Sequence, residues 1–96
     1  MITTDDLLEI GFHQKPDTTD NEFMGMKCFV FERTIDNGHI IPMHDYTIQK
    51  VHVFPSLSAV KLIKEQISSW TGGENTIFKG RCPDIDFLQK VFAYSE

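Results

Sequence analysis

Cys28-Phe-Val-Phe-Glu-Arg-Thr-Ile-Asp-Asn-Gly-His-Ile-Ile41 places Asn37-Gly38 between two apolar, β-prone runs. Asn and Gly accept the positive φ values of a type I′ turn, whose twist matches the flanking strands, so the stretch reads as a two-residue hairpin. On that register Asp36 faces His39 and Ile35 faces Ile40. Before the turn, Phe29, Phe31 and Ile35 share one parity and Met26, Cys28 and Val30 the other, so a strand over about 23–35 is apolar on both faces near its centre. Such a strand is covered on two sides, or by helices on one side and a partner on the other.

Downstream, Ile40-Ile41 reads as a short return strand limited by Pro42, which removes a ladder donor, and His44-Asp45 reads as a turn. Tyr46–Phe54 reads as a third strand whose inward parity changes from Tyr46 and Ile48 to Val51 and Val53, which a bulge near Gln49-Lys50 reconciles. Pro55-Ser56 reads as a helix start, and Leu57, Val60, Ile63, Ile67 and Trp70 recur three to four apart, predicting a helix over 56–70. Thr71–Asn75 reads as a loop, Thr76–Lys79 as a brief strand, and Pro83, Asp84 and Asp86 as the start of a last helix over 84–94 with Ile85, Leu88, Val91 and Phe92 on one face.

Upstream, Thr3 or Thr4 with Asp5, Asp6 and Glu9 supplies oxygens to unpaired first-turn N–H groups, and Gly11 is a left-handed stop, so a short helix over about 4–10 is expected. Its Leu7, Leu8 and Ile10, with Phe12, can pin it to the domain. His13–Glu22 has no apolar residue and reads as a loop. The expected fold is therefore α+β: a small antiparallel meander of three or four strands packed against two C-terminal helices, with a short N-terminal helix, in one domain spanning 1–96. In that arrangement the face carrying Met26, Cys28 and Val30 is partly exposed, as an interaction surface would be.

Composition bounds the function. The 96 residues are 41% apolar, include eight Phe, and support one core. No apolar run reaches the length of a membrane span, and the acidic N-terminus is unlike a signal peptide, so a cytoplasmic protein is the expectation. Two cysteines, Cys28 and Cys82, form no disulfide framework or metal motif. The formal charge is −5 and sits entirely in the first 22 residues, where Asp5, Asp6, Glu9, Asp17, Asp20 and Glu22 face only Lys15. No basic stripe is present to displace counterions from phosphates, which argues against nucleic-acid binding. An acidic quarter of this kind either keeps a small protein soluble or docks a basic partner.

The stretch 3–12, TTDDLLEIGF, ahead of a meander and an amphipathic helix, is similar to a pattern in small uncharacterised bacterial and bacteriophage proteins, and Val51-His52 through Thr71-Gly-Gly-Glu74 is similar to their second half. The resemblance implies a bacterial or phage accessory protein that works by binding another protein, and carries over no catalytic residue.

Four groups invite chemistry. His39, His44, Asp45 and His52 have donors suited to zinc, iron or general-base work, completed by Asp36 or Cys82, but match no metal-ligand spacing; each also has a plain structural place in a strand or turn. Cys82 lies after Arg81 at a predicted helix start, where cation and helix dipole would lower a thiol pKa, but a nucleophile also needs a general base that the sequence does not place, so Cys82 reads rather as a small, partly buried cap residue. Gly72-Gly73-Glu74-Asn75 lacks the residues of a phosphate loop and reads as a helix stop. Most aromatics are core, while Trp70, Phe78 and Tyr94 stand at element ends where interface anchors are found.

The expected function is thus a non-enzymatic protein-binding module without cofactor or metal, an inhibitor, immunity or antidefence factor that occludes a partner with a basic surface. Its expected contact residues are Asp5, Asp6, Glu9, Met26, Val30 and Trp70. The competing classes are an assembly subunit that homo-oligomerises through its sheet face, and a small metal-dependent protein using His39, His44 and His52.

Overall fold

The computed structural model describes residues 2–20, 25–40, 43–67 and 72–94. The chain enters through α1 (Thr4–Glu9) and β1 (His13–Asp20), then β2 (Met26–Ile40), β3 (Met43–Phe54), a 3-10 turn (Pro55–Leu57), β4 (Ala59–Ile67), β5 (Gly72–Gly80) and α2 (Ile85–Tyr94). The strands pair antiparallel in chain order, β1-β2-β3-β4-β5. The expected meander of three or four strands under two C-terminal helices is corrected: among the described residues the sheet has five strands, with one short helix before it and one after it.

The helix expected over 56–70 is β4. Spacing of three to four fits a helix, but Ala59, Val60, Lys61, Leu62 and Ile63 are all at most 9% exposed, a continuous buried run that no amphipathic helix has. β4 lies between β3 and β5, so Val60 and Leu62 point to one covered face while Ala59 and Ile63 point to the other. Helix propagation ends at Ser58, which adopts the left-handed conformation (φ 51°, ψ 41°) and donates its backbone N–H to the Pro55 carbonyl.

The hairpin register is also corrected. Asn37-Gly38 is not the turn: Asp36 pairs with Tyr46 and Gly38 with Asp45, so Asn37 is the extra residue of a bulge. The strand continues to Ile40, which pairs with Met43, and His39 pairs with His44. The reason is the apolar register. A turn at 37–38 would set Phe31 against His44 and Val30 against Asp45, whereas the observed pairing sets Phe29 against Val53 and Phe31 against Val51. His44-Asp45 thus lies within β3. The pairing of β3 is unbroken across Gln49-Lys50 on both sides, so no bulge is needed there; the inward parity holds, with Thr47 and Gln49 buried among the apolar residues.

Residues 13–20, expected as a loop, form edge strand β1. A polar sequence suffices because only its inner edge is paired, Gln14 beside Phe31 and Thr18 beside Cys28. Pro16 falls inside the register shift between Lys15 and Thr18, where no ladder donor is needed. The Gly72–Asn75 stretch lies within β5, which is longer than the Thr76–Lys79 strand expected.

The main core forms where both ends of the chain meet on one sheet face. Phe31, Val51, Val60 and Leu62 pack with Ile2, Leu7 and Phe12 from the N-terminus and Cys82, Leu88 and Phe92 from the C-terminus. Phe12 and Phe92 rings lie 6.3 Å apart. The expected α2 face is confirmed: Leu88 and Phe92 are buried, Ile85 and Val91 half-buried. On the opposite face Cys28, Val30 and Phe54 form a second, smaller cluster with Met26.

Candidate functional site

The acidic N-terminal segment is built on a well-capped α1. Asp6 N–H donates to Thr3 Oγ1 at 3.2 Å and Thr3 N–H donates to Asp6 Oδ2 at 3.0 Å, a reciprocal capping box. Asp6 is thereby committed to the helix itself. Past the helix, Gly11 takes φ +99°, and Phe12 N–H donates to the Leu7 carbonyl, which turns Phe12 into the core. Arg33 of β2 secures this end. Its Nη1 donates to the Ile10 carbonyl at 2.9 Å, and its guanidinium lies 4.6 Å from the Phe12 ring centroid.

With Leu7 buried and Asp6 capping, the outer face of α1 presents Asp5, Leu8 and Glu9. Asp5 and Glu9 are exposed, and Leu8 between them is 46% exposed. Residues three and four apart share a helix face, so Asp5 stands between the exposed Leu8 on one side and Glu9 on the other. Elsewhere in the segment, Asp17 is neutralised by Lys27 at 3.3 Å.

The other expected contact residues fare differently. Val30 is 7% exposed and Cys28 fully buried, with Met26 half-buried beside them, so this expected contact cluster is largely buried. Trp70 lies outside the described residues. No group of three or more His, Cys, Asp or Glu side chains capable of holding a metal occurs among the described residues. His39 and His44 are partners across the ladder, but His52 stands eight residues from His44 on β3, about 27 Å at strand rise, so the three expected histidines are not brought together. His52 instead takes its place between Val30 and Lys61 in the ladder.

The reading of Cys82 as an activated thiol, the less favoured of the two sequence readings, finds no support. It is fully buried in the main core, its Sγ donates to the Asp84 carbonyl at 3.3 Å, and burial pushes the thiol pKa up. Asp84, not Cys82, caps α2: its Oδ1 accepts from Phe87 N–H at 2.8 Å. A hollow of about 390 Å³ beside Ser58, Arg81, Cys82 and Pro83 therefore meets an inert cysteine.

Two features escaped the sequence reading. Lys50 projects from the sheet face opposite the helices and bonds Glu74 Oε2 at 2.8 Å, with Glu65 Oε2 at 3.5 Å. Burial lowers the Lys50 pKa, but the Glu74 bond and the charges of Glu74, Glu65 and Glu32 outweigh it and leave the ammonium raised. The same bond holds the Glu74 carboxyl below its ordinary value. The second feature is an open groove of about 460 Å³ between β5 and α2, lined by Ile77, Phe78, Phe87, Lys90, Val91 and Tyr94. The helical period of 85–94 signalled its helix wall, but the strand wall required β5 to be found.

No helix among the described residues is long and apolar enough to cross a membrane. No protein-family model, curated protein or solved structure matches the chain.

Proposed function

We propose that the chain is a non-enzymatic protein-binding module that occludes a basic surface of a partner through the outer face of α1, acting as an inhibitor, immunity or antidefence factor of bacterial or phage origin. The observation that supports this reading is the exposed Asp5, one turn from Glu9 and with the exposed Leu8 at its other side, on a helix whose remaining acid, Asp6, is used in its own cap. Carboxylates at a rim speed encounter with a basic surface and set orientation; an apolar residue beside them supplies area that water leaves on contact.

Affinity capture from the native host with the full chain, the Asp5→Lys/Glu9→Lys variant and the Leu8→Ser variant tests it. Asp6 is left in place so that the helix cap survives. A stoichiometric partner held by the parent chain and lost from both variants supports the reading. With that partner purified, charge reversal is expected to slow association by about tenfold or more at low salt and by much less at high salt. A partner bound equally by all three forms overturns docking through α1.

A further inference from the structure

We draw no further inference here: the strongest candidate, the apolar groove of about 460 Å³ between β5 and α2, carries nothing, because beyond the single exposed charge of Lys90 at its wall nothing in the structure shows what covers it.

Discussion

Arg33 reaches across the sheet to Gln49, and both Nε and Nη2 donate to the same Gln49 Oε1. The pair sits on the helix-bearing face, one row beyond the Phe31–Val51 pair, where Gln49 is 8% exposed. The remaining Arg33 contacts, to the Ile10 carbonyl and the Phe12 ring, bind the end of α1 to the same residue. One guanidinium thus joins β2, β3 and the N-terminal helix. Burial lowers its pKa, yet it stays charged at any working pH.

Arg33→Ala is accordingly expected to destabilise the chain by about 2–4 kcal/mol, from charge-assisted hydrogen bonds and ring stacking lost together. Arg33→Lys should recover less than half, because an ammonium cannot reproduce the planar fork. Denaturant unfolding of both variants, with Gln49→Leu to complete a double-mutant cycle, measures this; a loss below about 0.5 kcal/mol for Arg33→Ala would show the clamp to be idle.

The Lys50–Glu74 pair predicts a pH window. Glu74 is held below its ordinary value of 4.5, so its contribution is present above that pH and is lost as pH falls through the lower folded-state value. Lys50 is held above its ordinary value of 10.5, so its contribution is present below that pH and is lost as pH rises through the higher folded-state value. Glu74→Gln should flatten the acid limb of stability against pH. Because Glu74 is half exposed, the effect near neutrality is expected to be at most about 1 kcal/mol. An acid limb identical to that of the parent chain would contradict it.

Ser58 holds a left-handed conformation that disfavours a Cβ, so Ser58→Gly relieves strain while giving the unfolded chain more freedom. The net expectation is a gain of about 0.5 kcal/mol, and Ser58→Val, branched at Cβ, should lose about 1 kcal/mol or more. Thermal unfolding of the three forms decides the order, which must run Gly, Ser, Val if Ser58 is what stops the turn and starts β4.

Both cysteines are buried, and burial raises the Cys82 thiol pKa, so neither should react with a thiol reagent in the folded protein at pH 8. Reaction is expected to follow opening of the main core for Cys82 and of the smaller cluster for Cys28, at rates that rise together with denaturant. Fast labelling of Cys82 in native conditions, measured by mass spectrometry, would place it in an open and activated site instead.

The sequence by itself determined the elements whose stabilising groups are local. Thr3 and Asp6 cap α1 through one another, Gly11 ends it, Asp84 opens α2, and the alternation around Phe31 makes a strand wherever its partners lie. The acidic face of Asp5 and Glu9 followed from the same local reading. What only the tertiary structure decided was set by partners distant in the chain. Polar β1 is a strand because β2 offers it an edge, and Ala59–Ile67 is a strand because β3 and β5 flank it and both its faces are covered. Asn37-Gly38 has the composition of a turn and became a bulge in a register that sets Phe29 and Phe31 against Val53 and Val51, a pairing fixed by a strand distant from the turn. The groove of Ile77, Phe87 and Tyr94 was decided there too, since its two walls meet only once β5 has joined the sheet and α2 has folded back upon it.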